Sequence, residues 1–268
     1  MAVREVEKIG EHKLEQMLLK VEDHIGIITF HRPPVNAAGA VAQHELLMIC
    51  DYINHDDDIW VVVMHSDIKT FCVGDDIKLF KQSIDDKDVT NVQEVFYDGA
   101  LALYEVRVPV ICAVHGHCLG GGMCYPAGAD ISIAVKGTVF GAPEAKLGVV
   151  GGSGHLSRIL PPLVQRNMSY CGSFIKAEDL LKFGGVTMVV DTLDELMPAA
   201  MDKAREICKR GPLVLRYLKA CMNLQEDFQM KRKNDLEVTY TRYMARHDDF
   251  NEGVSAFIEK REPHFTGK

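Results

Sequence analysis

The chain lacks an excess of positive charge, a paired-cysteine motif and a long apolar run, and each lack removes a class of function. Its 30 Lys and Arg stand against 38 Asp and Glu, for a formal net charge of −8. Bulk charge therefore does not favour a phosphate backbone, and no nucleic-acid partner is expected. None of the eight cysteines forms C-x-x-C, and they sit in apolar runs. That is the pattern of reduced core residues, so neither a disulfide framework nor a metal site is expected. No apolar run approaches the ~18 residues of a membrane span, and no membrane partner is expected. The N-terminal stretch to Gln16 carries glutamate early and has no apolar centre, unlike a secretory signal. The sequence shows no internal repeat and no low-complexity segment. These readings together lead us to expect a soluble, cytoplasmic protein.

What is present is enough for one sizeable core: 268 residues, 47% of them hydrophobic. Leu18–Val21 and Ile25–Phe30 read as two strands around a turn, the second stopped by Arg32-Pro33-Pro34. Val41–Asn54 has apolar residues at helical spacing. Trp60–Met64, Val110–Val114 and Asp130–Val135 are continuous apolar runs, typical of strands buried on both faces. Thr138–Phe140 and Val186–Val190 read as short strands. Val92–Val106 is helical in pattern, and the acidic stretch Ser83–Thr90 reads as a loop. Gly154–Leu160 reads as a helix ended by Pro161-Pro162. Beyond Ala177 the pattern is mainly helical, over Ala177–Phe183, Leu193–Arg210, Pro212–Leu224, Lys231–Ala245 and Asn251–Lys260. Alternation followed by helices predicts an α/β fold with parallel strands.

The chain turns on Leu119-Gly120-Gly121-Gly122, which follows the strand Val110–Val114 and the turn His115-Gly116-His117. Three glycines at a strand-to-helix junction allow close approach of backbone to a ligand. They also leave the first N–H groups of the helix unpaired, at its positive end. Such a socket suits either a resident anion or a carbonyl oxygen that becomes one.

Five segments, in order, resemble the crotonase superfamily, the enoyl-CoA hydratase/isomerase family. They are Arg32-Pro33 with Asn36-Ala37; Phe71-Cys-Val-Gly-Asp-Asp-Ile-Lys78; Pro109 through Gly122; Phe140-Gly-Ala-Pro-Glu-Ala-Lys-Leu-Gly148; and Phe257-Ile-Glu-Lys-Arg-Glu-Pro-His-Phe265. The resemblance implies a crotonase-like spiral of ββα turns over residues 1–192, carrying an acyl-CoA site. It implies a helical region over 193–268 for oligomerisation and CoA contact, in a homotrimer or a dimer of trimers. Coenzyme A is then part of the substrate, and no permanently bound cofactor is expected. The resemblance places the thioester oxygen between the N–H groups of Asp75 and Gly121, and makes Glu144 the acid/base, with Gly152 N–H holding a water or substrate oxygen beside it. Asp76, Ile77, Lys78, Gly120, Phe257 and Lys260 are expected to meet the substrate. Lys78, Lys260 and Arg261 read equally as CoA-phosphate contacts or as solvated charge.

Cys124 departs from the pattern, because two-glutamate hydratases carry their other carboxylate there. It reads as a small buried hydrophobe, or as a weak acid or nucleophile activated at a helix start. His155 reads as a helix-capping residue, or as a second titrating group facing Glu144. His115 and His117 read as structural, and Tyr240, Arg242 and Tyr243 as packing or CoA contacts. The side chain of Asp75 is expected to point to solvent. A single carboxylate favours double-bond isomerisation; hydration by Glu144 alone comes next, then hydrolysis or C–C cleavage of a β-oxo-acyl-CoA. The loss of the carboxylate at Cys124 also leaves room for a member that binds without catalysing.

Overall fold

A computed structural model of the chain describes residues 3–78, 81, 99–226 and 230–267. The strands are β1 (Arg4–Val6), β2 (Lys8–Ile9), β3 (His12–Lys13), β4 (Met17–Glu22), β5 (Ile25–Phe30), β6 (Val61–Ser66), β7 (Val110–Val114), β8 (His117–Leu119), β9 (Ile131–Val135), β10 (Val139–Gly141), β11 (Phe174–Lys176) and β12 (Met188–Val190). Seven of them form one sheet in the order β1-β4-β5-β6-β7-β9-β12. Pairing is antiparallel from β1 to β5 and parallel from β5 to β12. A second sheet, β11-β10-β8, lies over the region of the glycine motif.

The apolar runs are continuous because both faces of the large sheet are covered. Val62, Met64, Val110 and Cys112 enter the larger core with Leu46, Ile49 and Ile53 of α1 (Ala40–His55). Their neighbours Val61, Val63, Ile111 and Ala113 enter a second core with Leu196, Ala200 and Ala204. Those three come from a helix, Leu193–Cys208. Residue 193 therefore marks a change from alternating to helical sequence, and the packing runs straight through it. The remaining helices, in chain order, are α2 (Cys124–Gly128), α3 (Ser153–Leu156), α4 (Pro162–Cys171), α5 (Ala177–Lys182), α6 (the Leu193–Cys208 helix), α7 (Pro212–Gln225), α8 (Met230–Met244) and α9 (Asp248–Glu259). Single turns of tighter 3₁₀ helix occupy Gly120–Met123 and Glu144–Leu147.

Three expectations change. Pro161-Pro162 does not end the helix expected over Gly154–Leu160, which stops at Leu156. It opens α4, because Pro162 stands in the first turn, where its missing N–H costs nothing. His117 belongs to β8 and not to a turn, since it pairs in parallel with Val139 of β10. The cysteines are all free, but Cys171 and Cys221 are exposed and only Cys50, Cys72, Cys112, Cys118 and Cys124 are fully buried. Of the expected helix Val92–Val106, residues 99–105 are helical and 92–98 lie outside the described residues, as does the expected loop Ser83–Thr90. Among the described residues, no helix is long and apolar enough to cross a membrane.

Candidate active site

The site begins with Asn36. Its backbone is left-handed (φ 50°) and its side chain is fully buried. The side-chain oxygen accepts from Arg32 N–H at 2.6 Å, and the amide faces Phe30 O, Ser66 Oγ and Phe71 O at 3.1, 2.8 and 3.0 Å. One side chain thus ties the ends of β5 and β6 to the start of the loop Phe71–Lys78. Arg32 adds an ion pair to Asp76 at 2.6 Å. Ala38 N–H donates to Gly74 O, and Asp76 N–H donates to Ala38 O. These bonds use the backbone groups on either side of Asp75 and leave its own N–H without an acceptor among the described residues. The motif Arg32…Asn36-Ala37 therefore serves the loop that carries Asp75.

That loop is fastened to the glycine turn. Cys72 N–H donates to His117 O at 3.1 Å, and Leu119 N–H donates to Cys72 O at 2.9 Å. The three glycines then answer to three different neighbours. Gly120 has φ 55°, and a Cβ there would stand 3.3 Å from Glu144 Oε1. A Cβ at Gly121 would stand 2.7 Å from Asp75 Oδ1, and one at Gly122 would stand 2.7 Å from Cys72 O. Any side chain at the last two positions would force backbone or a carboxyl group aside. Gly121 N–H, in the first turn of the 3₁₀ helix, has no acceptor among the described residues.

Asp75 is where expectation and structure differ most. Its carboxyl group lies against Gly121, and the residue is half-buried and not fully in solvent. Burial pushes its pKa up to about 7.

Glu144 follows Pro143 and starts the 3₁₀ turn Glu144–Leu147. The turn is held from behind by α9, where a Cβ at Gly253 would stand 2.5 Å from Leu147 C and O. Burial pushes the Glu144 pKa up to about 8, and the charges of Asp75 and Glu237 act in the same direction. A cavity of about 420 Å³ opens beside Glu144, lined also by Val149, Val150, Gln165, Arg166, Ser169 and Tyr170.

Gly152 (φ 72°) faces both Glu144 and Cys124: a Cβ there would stand 3.8 Å from Glu144 Oε1 and 3.7 Å from Cys124 Sγ. Cys124 is 2% exposed. Burial raises its thiol pKa well above the ordinary value, and Glu237, Asp75 and Glu144 raise it further. It is a protonated thiol in the site wall, and not an activated thiolate. His155, on α3, is 1% exposed. Burial, then the charge of Arg158, lowers its pKa to about 4. Its two ring nitrogens have no hydrogen-bond partner among the described residues. It is neutral at physiological pH, which removes the expected switch there.

Glu237 was not singled out by sequence. It is 5% exposed on α8, and its carboxylate accepts from Ser153 Oγ and from Gly154 N–H. It holds the start of α3, next to Gly152. Thr241, one turn further on, donates to Val150 O. Glu237, Val238 and Thr241 form the buried face of α8, while Tyr240 and Tyr243 are exposed. An acidic residue and a threonine four apart, flanking Val238, were the available signal.

The expected substrate contacts divide. Gly120 borders Glu144. Asp76 is paired with Arg32, and Ile77 packs with Val149 and Phe250. Lys78, Phe257 and Lys260 are exposed, and Arg261 is bound to Glu252 and Glu259. His115 is buried with a ring nitrogen 2.6 Å from Ile68 O. Among the described residues, no group of three or more His, Cys, Asp or Glu is arranged to hold a metal ion.

The family model for enoyl-CoA hydratase/isomerase matches residues 20–268. The chain belongs to that family. It is similar to the 1,2-epoxyphenylacetyl-CoA isomerase of Escherichia coli, 30% identical over 264 residues, covering 95% of this chain and 100% of the relative. The (7aS)-7a-methyl-1,5-dioxo-2,3,5,6,7,7a-hexahydro-1H-indene-carboxyl-CoA hydrolase of Mycobacterium tuberculosis is 29% identical over 239 residues, covering 89% of this chain and 96% of the relative. The crystal structure of the enoyl-CoA hydratase/isomerase of Pseudoalteromonas atlantica superposes with a TM-score of 0.84, at 23% identity, over 94% of this chain and 100% of that one. The crotonase fold expected from the five segments is thus the fold of the family. The relatives' names span different reactions, so membership alone does not select one.

Proposed function

We propose that this family member acts on an acyl-CoA thioester through an enolate. The thioester oxygen lies between Asp75 N–H and Gly121 N–H, and Glu144 moves the proton. The observation that carries the reading is the convergence on Gly120–Gly121 of two backbone N–H groups without acceptors and a carboxyl group whose pKa is near the working range of a base. Loss of a proton at Cα, or attack at Cβ, places negative charge on the thioester oxygen. Donors fixed beforehand stabilise that charge, each worth about 10²–10³ in rate. A glutamate pKa of about 8 makes the carboxylate a stronger base than an ordinary one, with a minor share ionised near neutrality and half at about pH 8.

Cys124 supplies no second carboxylate, which favours shifting a double bond: Glu144 lifts a proton from one carbon and returns it to another. Hydration is the next reading. Hydrolysis is supported by the relative that is named a hydrolase. It loses the support that a titrating His155 would have lent. The cavity beside Glu144 is of a size that holds an acyl group, and Arg166, Gln165 and Ser169 make part of its wall polar.

The test is turnover of 3-enoyl-CoA and crotonyl-CoA by the wild type and by Glu144→Gln. Replacement of the base should lower kcat by about 10²–10⁴. Unchanged turnover in Glu144→Gln would remove the assignment.

A further inference from the structure

The carboxyl groups of Asp75 and Glu144 come from loops about seventy residues apart in sequence, yet both close on the Gly120–Gly121 pair. Neither accepts a hydrogen bond from another side chain among the described residues. The contrast with the adjacent Asp76 is informative: that carboxylate is tied to Arg32 and to Lys78 N–H. A structural role is therefore visible for Asp76 and absent for the Asp75 side chain. Two acids meeting at one glycine pair, neither of them used in packing, form a pair available for chemistry.

We propose that the Asp75 side chain is the second proton-carrying group of the site, standing in for the carboxylate absent at Cys124. This rests on the proposed enolate reading, and it adds an acid to that reading's single base. In double-bond migration, the Glu144 carboxylate takes the Cα proton and the bonding pair delocalises onto the thioester oxygen. The Asp75 carboxylic acid then gives its proton to Cγ. In hydration, Glu144 takes a proton from water as the oxygen bonds to Cβ, and Asp75 gives its proton to Cα. Each cycle leaves Glu144 protonated and Asp75 ionised, and return of that proton from one to the other, directly or through water, restores the starting state. No oxidant, reductant or further reactant is needed. The arrangement also resolves a conflict at the thioester oxygen. An ionised carboxylate beside the Gly121 donor would oppose an enolate, whereas a protonated one does not.

The titratable groups around Asp75 are Glu144, Cys72, Cys124 and Tyr125. Burial pushes all five upward, so near neutrality the pair carries a proton while the thiols and the phenol stay neutral; that proton rests mostly on Glu144, at about 8 against about 7 for Asp75, and the reactive form is the minor one with the proton on Asp75.

Asp75→Asn tests the idea, because it keeps the backbone N–H and the shape and removes the proton. The measurements are turnover of enoyl-CoA and exchange of the Cα hydrogens of a saturated acyl-CoA in D₂O. Exchange needs the base and the N–H pair, and deuterium from solvent-exchanged Glu144 completes it; turnover needs the second acid as well. The account predicts that Asp75→Asn keeps exchange within several-fold and loses about 10²–10⁴ in kcat, with KM little changed. The wild-type bell-shaped pH profile of kcat/KM should lose its alkaline limb. Glu144→Gln should lose both exchange and turnover. Full turnover in Asp75→Asn overturns the proposal and leaves the Glu144 reading intact. Parallel loss of exchange and turnover in Asp75→Asn overturns it too, since the side chain would then act only by shaping the site. Asp75→Ala, with the N–H again retained, checks that result against misfolding through its thermal transition. A wild type inert in both assays would instead overturn the enolate reading beneath the proposal, and the proposal with it.

Discussion

Glu144 is a carboxyl group that the folded chain keeps protonated far above the ordinary range. Its pKa moves from 4.5 to about 8 on folding, and that of Asp75 moves from 3.8 to about 7. Between the two values of each group the folded state binds more protons than the unfolded one. Stability is therefore highest in mild acid, is lost as pH rises through the window from about 4.5 to about 8, and is flat with respect to Glu144 above it. Glu144→Gln removes this dependence. We predict that the variant's advantage in thermal midpoint over the wild type grows from pH 5 to pH 9, as thermal melts in a pH series would show. A constant difference across the series would contradict the burial of that carboxyl. The same residues show what could be read from sequence. Glu144 and the glycines stood in recognisable motifs, so their convergence could be anticipated. The inward turn of Asp75 could not, because it depends on which side of Asp75 the Ala38–Gly74 and Asp76–Ala38 bonds take up. Glu237 lies some eighty residues from the Ser153 hydroxyl and the Gly154 N–H that it binds, with no spacing rule to connect them.

At the scale of elements, α9 is a support for the turn that carries the proposed acid/base. Gly253 is buried against the Leu147 backbone, and that turn begins at Glu144. A methyl group at 253 has no room unless the helix or the turn moves. Gly253→Ala should cost about 1–3 kcal/mol of stability, as overpacking does. It should also lower kcat while the purified variant remains folded, because the Glu144 turn would give way first. Chemical denaturation and steady-state kinetics on one preparation check both effects, and full activity would show that α9 does not position the site. Elements defined by their own periodicity were legible: β5, β6, β7, α1 and α6 all lie where apolar spacing put them. Elements defined by partners were not. β8 and β11 are three residues each and exist by pairing with β10. The start of α4 at Pro162 was hidden because proline ends one helix as readily as it opens the next.

At the scale of the whole molecule, the large parallel sheet with cover on both faces holds the loops Phe71–Lys78, Gly120–Met123 and Glu144–Gly152 at one place. The chain beyond 193 contributes twice, through α6 in the second core and through α8 and α9 behind the loops of the proposed site. Family membership and fold were readable because five motifs stood in order. The reaction was not, because it depends on single side chains, at positions 75, 124 and 155, that the frame does not dictate. The central claim is that this frame presents Asp75 N–H and Gly121 N–H to a thioester oxygen, with Glu144 at the carbon beside it. A crystal structure with a non-hydrolysable acyl-CoA analogue bound tests it most directly. The account predicts the carbonyl oxygen about 2.7–3.1 Å from both nitrogens, with the Glu144 carboxyl against Cα. An acyl carbonyl seated away from Gly120–Gly121, with Glu144 out of reach of Cα and Cβ, would contradict it.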